Sequence, residues 1–178
     1  MQTIKTFGVI GTGIIGAGWA ARALARGLNV LAFDPGADAQ DRLRDNLAQV
    51  WPVLERTGLF PGASVDRLRF CDSLEEVALG AQFIQESAPE RIELKTTLHA
   101  QIDAAAPADV LIASSTSGLL PSEFQSHCAH PGRVMVGHPF NPVYLLPLVE
   151  VLGGEQTDAD NIERAVALYR DLGMYPLK

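Results

Sequence analysis

Basic residues and cysteines are both scarce in this chain of 178 residues. Lys and Arg number 14 against 21 Asp and Glu, so the formal net charge is −7 at pH 7. No basic run is present, and a polyanion such as nucleic acid would meet net repulsion. The two cysteines, Cys71 and Cys128, lie far apart in a chain without secretory features. We therefore expect reduced thiols in a cytoplasmic protein rather than a disulfide.

Long hydrophobic runs are missing as well. The uncharged stretch 6–21 is interrupted by five glycines, so it makes a poor signal-peptide or membrane helix. Hydrophobic residues make up 47% of the chain and charged residues 20%, which is enough apolar material for a core and too little charge for a disordered chain. The composition predicts a folded globular domain with no membrane span and no targeting segment.

Strand-like and helix-like segments alternate along the chain. Thr3–Ile10 predicts a strand, Ile14–Arg26 a helix, and the wholly apolar Asn29–Phe33 a strand of the kind that parallel sheets bury on both faces. Further strands are predicted at 67–71, 82–85, 109–114, 133–137 and 146–152, and helices at 37–56, 73–79, 89–106, from 121 and at 157–172. Pro52 is expected to break or kink its helix. The pattern predicts an α/β fold, a Rossmann-type doubly wound, mostly parallel sheet with helices on both faces.

A glycine-rich motif lies between the first strand and the first helix. Its G-x-G-x-x-G pattern consists of Gly11, Thr12, Gly13, Ile14, Ile15 and Gly16. In a dinucleotide site these glycines allow a tight turn, the approach of a pyrophosphate and close helix–strand packing, while the helix N-terminus attracts the phosphates. The motif therefore predicts dinucleotide binding, because the strand before it and the helix after it supply the required context.

Asp34 ends the second predicted strand, 18 positions beyond Gly16. A carboxylate at this place accepts hydrogen bonds from the adenosine ribose hydroxyls and repels a 2′-phosphate. The three following residues include no Arg to receive such a phosphate, so NAD is expected rather than NADP. The alternative is a plain glycine-rich turn in which Asp34 serves as a cap.

A second group of polar residues follows later strands. It consists of the Ser and Thr cluster at 114–117, His138 and Glu150. Oxidation of an alcohol by hydride transfer requires a base for the hydroxyl proton, and histidine has a suitable pKa near neutrality. A carboxylate beside that histidine would fix its tautomer and stabilise the imidazolium ion.

Five motifs together resemble the L-3-hydroxyacyl-CoA dehydrogenase family: GTGIIG, ESAPER, SSTSGL, HPFNP and LPLVE, in the family's order and spacing. The resemblance implies that His138 is the catalytic base, Glu150 its partner and Ser117 the hydroxyl that holds the substrate oxygen. It also implies that Glu86 and Arg91 lie near the nicotinamide end of NAD.

The sequence departs from family members that act on CoA thioesters. Ser115 stands where those members have Asn, and the segment 37–68 contains no lysine, although their corresponding segment is lysine-rich. The sequence is most similar to the family's carnitine-oxidising members, whose trimethylammonium substrate favours aromatic faces. Candidate substrate contacts are Ser115, Phe140, Asn141 and Tyr144. The alternatives are a 3-hydroxyacyl-CoA substrate and an NAD-binding structural protein without catalysis.

Two further expectations concern metals and domain organisation. His127, Cys128 and His130 match no usual zinc spacing, and the hydride mechanism needs no metal, so none is expected. The family continues into an all-helical domain that completes the active site and forms a homodimer. The resemblance therefore implies that residues 1–178 are the NAD-binding half of a longer enzyme and turn over little substrate alone.

Overall fold

The computed structural model describes residues 4–178 and contains one eight-stranded sheet in that range. The strand order is β3-β2-β1-β4-β5-β6-β7-β8. Strands β1 to β6 run parallel to one another, β7 is antiparallel to β6, and β8 is parallel to β7. The strands are β1 (Thr6–Ile10), β2 (Asn29–Phe33), β3 (Leu68–Phe70), β4 (Phe83–Glu86), β5 (Leu111–Ser114), β6 (Val134–Pro139), β7 (Leu148–Gly153) and β8 (Tyr175–Leu177).

Six α-helices connect these strands. They are α1 (Ile14–Ala25), α2 (Ala39–Thr57), α3 (Leu74–Gly80), α4 (Ile92–Ala105), α5 (Pro121–Phe124) and α6 (Ala159–Asp171), with short 3₁₀ turns at Val65–Arg67 and Pro131–Arg133. Helix α1 ends where Gly27 adopts a φ of +79°, a conformation that glycine accepts without strain.

The helices cover both faces of the sheet with separate apolar cores. Phe7 and Val9 of β1 pack with Trp19 and Tyr169 on one side, whereas Ile10 faces the other core, which contains residues of α3 and α4. This division follows from the alternation of side chains along a strand. It confirms the predicted doubly wound, mostly parallel α/β fold.

The predictions for the first strand and for Pro52 differ from the structure. The first predicted strand starts at Thr3, which lies outside the described residues, and β1 begins at Thr6. Pro52 does not break α2, which continues to Thr57. Pro52 is exposed, and the apolar face of α2 stays packed on either side of it through Leu47 and Leu54, which offsets the lost backbone hydrogen bond.

Strand β8 was not predicted from the sequence. It pairs with β7 at the edge of the sheet, where Pro176 is tolerated because an edge strand leaves one side without a hydrogen-bonding neighbour. Within residues 4–178, no helix has both the length and the apolar character needed to cross a membrane. Both cysteines are free thiols.

Candidate active site

The glycine motif forms the loop between β1 and α1. Its three glycines differ in what a side chain at each position would meet. Gly11 has a φ of +86°, and a Cβ there would lie 2.7 Å from the Ser87 backbone. A Cβ on Gly16 would collide with the Gly11 carbonyl. A Cβ on Gly13 would meet no atom of residues 4–178 within 4 Å. The loop therefore packs tightly on the protein side and is open above Gly13, as a dinucleotide cradle requires.

The N-terminus of α1 completes this cradle. Among the residues that the structure describes, no side chain caps the helix, whose first backbone N–H groups adjoin Gly13. Ile14 is 74% exposed and Ile15 is half-buried, so neither seals the loop. Uncapped N–H groups and the positive end of the helix dipole favour an anionic group at this place.

Asp34 lies beside the glycine loop at the end of β2. The Thr12 backbone N–H donates to its Oδ2 (2.7 Å), and the Gly36 N–H donates to its Oδ1 (2.8 Å). These bonds hold the carboxylate at the edge where an adenosine ribose would lie. The sequence interpretation missed Arg42 of α2, whose guanidinium donates to the Ala37 carbonyl at this same corner.

His138 and Glu150 meet across the antiparallel pair β6–β7. They are direct partners in the strand register, and the distance from His138 Nδ1 to Glu150 Oε2 is 2.8 Å. Their side chains are 27% and 52% exposed, so the pair is open to a ligand. Ser117 lines the same cleft. The structure thus brings together the three residues that the resemblance assigned to catalysis.

The turn that carries Ser117 is held by Glu90, which sequence reasoning missed. Glu90 Oε1 accepts hydrogen bonds from Thr116 Oγ1 (2.5 Å) and from the backbone N–H groups of Ser117 and Gly118 (both 3.0 Å). Burial opposes ionisation of Glu90, but these bonds and nearby Lys95 outweigh it and lower the pKa of the carboxyl. The sequence did offer one signal for Glu90: the ESAPER motif contains two glutamates, and Glu90 is the second, four residues beyond Glu86.

The expectation that Glu86 lines the cofactor cleft is wrong. Glu86 is 0% exposed, and Lys95 Nζ lies 2.8 and 2.9 Å from its two carboxylate oxygens. The Ser114 hydroxyl also donates to it (2.5 Å). This carboxylate therefore neutralises a buried lysine within the protein. Arg91 is exposed at the start of α4, and its role remains a prediction.

The four candidate substrate contacts separate in the structure. Phe140 is 38% exposed, and its ring centroid lies 5.8 Å from that of His138. Asn141 and Tyr144 instead line a second pocket next to α1, because the loop after β6 folds back over Gly18. The structure also contradicts the expectation that Ser115 contacts the substrate.

The Ser115 hydroxyl is engaged inside the protein rather than with the cleft. Trp19 Nε1 (3.1 Å) and Gln85 Nε2 (2.8 Å) donate to Ser115 Oγ, and Ser87 Oγ lies 2.9 Å away. A hydroxyl with these three neighbours has little capacity left for a substrate.

The segment that contains His127, Cys128 and His130 packs near the buried Asp103. His130 Nδ1 lies 3.6 Å from Asp103 Oδ1, and burial raises the pKa of the Cys128 thiol to about 12. Among residues 4–178, no group of three or more His, Cys, Asp or Glu side chains could hold a metal ion.

Comparisons with known proteins agree with this fold. Residues 6–178 match the family described as 3-hydroxyacyl-CoA dehydrogenase, NAD binding domain. The chain is 60% identical over 174 residues to L-carnitine dehydrogenase of Pseudomonas aeruginosa, covering 98% of this chain and 54% of that protein. It is 51% identical over 172 residues to L-carnitine dehydrogenase of Streptomyces griseus, covering 97% of this chain and 51% of that protein. The chain thus spans about half the length of these relatives.

Solved structures of dehydrogenases superpose closely on this chain. 3-Hydroxybutyryl-CoA dehydrogenase from Escherichia coli superposes with a TM-score of 0.91 at 31% identity, over 99% of this chain and 38% of that chain. An NAD⁺-dependent dismutase, FHMPC 5-dehydrogenase, gives a TM-score of 0.89 at 34% identity, over 98% of this chain and 57% of that chain. The chain belongs to the 3-hydroxyacyl-CoA dehydrogenase family, and it corresponds to that family's NAD-binding domain.

Proposed function

We propose that this chain is the cofactor-binding part of an NAD-dependent dehydrogenase that oxidises the 3-hydroxyl of L-carnitine to 3-dehydrocarnitine. The observation that carries the proposal is the His138–Glu150 pair, which shares one cleft with Ser117 at the edge of the sheet that also holds the glycine loop. The high identity to L-carnitine dehydrogenases supports the choice of substrate.

The residues at the β1–α1 loop fit NAD. Open space above Gly13 admits the pyrophosphate, the uncapped end of α1 attracts its charge, and Asp34 is placed to accept from the ribose hydroxyls. We assign Thr12, Ile14 and Ile15 to the same loop contact. When bound, NAD would accept the hydride that leaves the carbinol carbon.

His138 would take the hydroxyl proton. Glu150 engages Nδ1, which favours the Nδ1–H tautomer and leaves the Nε2 lone pair free as the base. As the C–H bond breaks and the carbonyl forms, the O–H proton moves to Nε2, and the Glu150 carboxylate stabilises the resulting imidazolium. The Ser117 hydroxyl would donate to the substrate oxygen and hold it within reach of His138.

Phe140 supports a cationic substrate. Its half-exposed ring stands next to His138, and a trimethylammonium group packed on this face would gain a cation–π interaction. Glu150 adds a negative charge to the same cleft, and the chain as a whole carries −7. These charges suit a quaternary ammonium ion better than the phosphates of CoA.

A 3-hydroxyacyl-CoA such as 3-hydroxybutyryl-CoA is the second candidate substrate. The close superposition on the Escherichia coli 3-hydroxybutyryl-CoA dehydrogenase favours it. The segment 37–68 weighs against it, because it lacks the lysines of the family members that act on CoA thioesters.

We also propose that residues 1–178 are one domain of a cytoplasmic homodimeric enzyme. The relatives are about twice as long as this chain, so a further domain would complete the substrate pocket and form the dimer. Alone, the 178 residues would bind NAD and show little turnover.

A two-part experiment tests the proposal. NAD is titrated into this chain by calorimetry, and a full-length version is assayed for NAD reduction with carnitine, 3-hydroxybutyrate and 3-hydroxybutyryl-CoA. Binding in the first part and carnitine-dependent reduction in the second are expected. Reduction with the CoA ester alone would move the assignment to the second candidate, and no NAD binding would refute both.

A further inference from the structure

Gln85 is a polar side chain inside the apolar core between the sheet and helices α1 and α6. It lies on β4 and is 0% exposed. The aromatic core on this face consists of Trp19, Phe83 and Tyr169, which are also 0% exposed. The ring centroid of Tyr169 lies 5.5 Å from that of Trp19 and 5.5 Å from that of Phe83. A buried amide among rings destabilises the fold unless its polar atoms are paired. The mechanism proposed above gives Gln85 no part.

Both polar atoms of the Gln85 amide are paired. The Tyr169 hydroxyl donates to Oε1 (2.7 Å), while Nε2 donates to Ser115 Oγ (2.8 Å) and to the Gly137 carbonyl (3.0 Å). Burial raises the pKa of Tyr169 well above its usual value, so its hydroxyl stays a donor. The donor at one end and the acceptors at the other allow only one orientation of the amide.

The two groups that accept from Gln85 Nε2 adjoin the proposed catalytic residues. Gly137 directly precedes His138, and Ser115 lies two residues before Ser117. The pairing of β5 with β6 ends at Ser114 and Val136, so the Gln85 amide joins the two segments just beyond the last paired residues.

Neighbouring residues hold both hydrogen-bond partners of the Gln85 amide in place. A Cβ on Gly137 would overlap the Tyr169 hydroxyl, so this glycine is what lets Tyr169 reach Gln85. On the other side, Trp19 Nε1 donates to Ser115 Oγ (3.1 Å), which fixes the serine against α1. Helix α1 also carries the glycine loop at its start.

We propose that Gln85 is a positioning residue for the dehydrogenase reaction. By bridging Ser115 and the Gly137 carbonyl, its amide sets the separation of Ser117 from His138 across the cleft, and through Trp19 it ties both to the cofactor helix. A fully paired polar network in a core specifies one geometry more than it adds stability. This inference rests on the proposed function.

The test replaces the amide with a side chain of nearly the same shape. Gln85→Met removes the three hydrogen bonds, and Gln125→Met is the matched control. Gln125 is also 0% exposed, and its Nε2 donates to the Pro131 carbonyl (2.9 Å), but it does not line the cleft. The first readout is the imidazole ¹⁵N–¹H spectrum of this chain. The chain contains four histidines, and the His138 signals are identified by their loss from the spectrum of His138→Gln.

Gln85→Met is expected to displace the His138 signals, because the ring moves relative to Glu150, whereas Gln125→Met leaves them in place. In the full-length protein, Gln85→Met should lower kcat about tenfold while the Kd for NAD stays within about twofold. Unchanged His138 signals and kcat would overturn the inference, and so would equal effects of both substitutions, which would indicate a general loss of packing.

A second variant covers the case in which Gln85→Met does not fold. Tyr169→Phe keeps the ring and removes only the donor to Oε1, so it should displace the same His138 signals by a smaller amount; unmoved signals would overturn the inference. The spectra need no substrate. Absence of turnover in the unmodified protein would therefore refute the proposed function, whereas unmoved His138 signals would refute the role of Gln85.

Discussion

His138 and Glu150 are direct partners in the register of β6 and β7, and this register brings Nδ1 to 2.8 Å from Oε2. Side chains directly opposite each other on an antiparallel pair point to the same face of the sheet. Glu150 lies twelve positions after His138, and Phe140 in the intervening loop has its ring centroid 5.8 Å from that of His138. One hairpin therefore supplies the base, its carboxylate and an aromatic face to the proposed site.

The first prediction tests this pair. In the full-length protein, Glu150→Gln should lower kcat by about 10² because an amide cannot stabilise the imidazolium, and His138→Gln should remove turnover almost completely. The Kd for NAD, measured by calorimetry, should stay within about twofold in both variants, because neither residue belongs to the glycine loop. Near-normal turnover in His138→Gln would show that another group is the base.

The second prediction concerns cofactor choice. Asp34→Ala should raise the Kd for NAD about tenfold or more, because the ribose hydroxyls lose their acceptor and the backbone N–H groups of Thr12 and Gly36 lose theirs. Binding of NADP should be weak in the unmodified chain and should improve relative to NAD in Asp34→Ala, since Arg42 then faces the 2′-phosphate without a competing carboxylate.

The control for this measurement is Asp45→Ala, an exposed carboxylate of α2 away from the loop. It should leave both affinities unchanged. Equal affinities for NAD in the unmodified chain and in Asp34→Ala would refute the assignment of Asp34.

The third prediction concerns the turn that presents Ser117. Glu90→Ala removes the acceptor for the Ser117 and Gly118 backbone N–H groups, so their amide hydrogen exchange should accelerate about tenfold. Glu93→Ala, at an exposed residue of the adjoining helix α4, should leave these rates unchanged. If both variants exchange like the unmodified chain, the turn is held by other contacts.

The sequence predicted the parts of this molecule that depend on local patterns. The glycine motif, the acidic end of β2 and the alternation of apolar strands with helices each carry a local signal, and the structure reproduces all three. The sites of Glu86 and Ser115 could not be predicted in this way. Whether a polar side chain at a strand end faces the cleft or the core depends on its partners, here Lys95 and Gln85, which lie nine and thirty residues away.

The last prediction concerns acid stability and the structural ion pair of Asp103 and Arg133. Asp103 Oδ1 accepts from Arg133 Nε (2.9 Å), and Oδ2 accepts from the backbone N–H groups of Ala129 (2.7 Å) and His130 (3.0 Å). Burial opposes ionisation, but these bonds outweigh it and hold the pKa of the Asp103 carboxyl below its usual value.

A carboxyl with a lowered pKa in the folded state contributes stability above its unfolded pKa and loses it as the pH falls through the folded value. Asp103→Asn should therefore reduce the free energy of unfolding by about 3 kcal/mol at pH 7, because it leaves the buried Arg133 without its counter-charge. The difference from the unmodified chain, measured by urea unfolding, should shrink below about pH 4 as Asp103 becomes protonated in both states. Asp45→Asn should change little at either pH. A deficit that stays constant down to pH 3 would show that lost packing, rather than the charge, accounts for the effect.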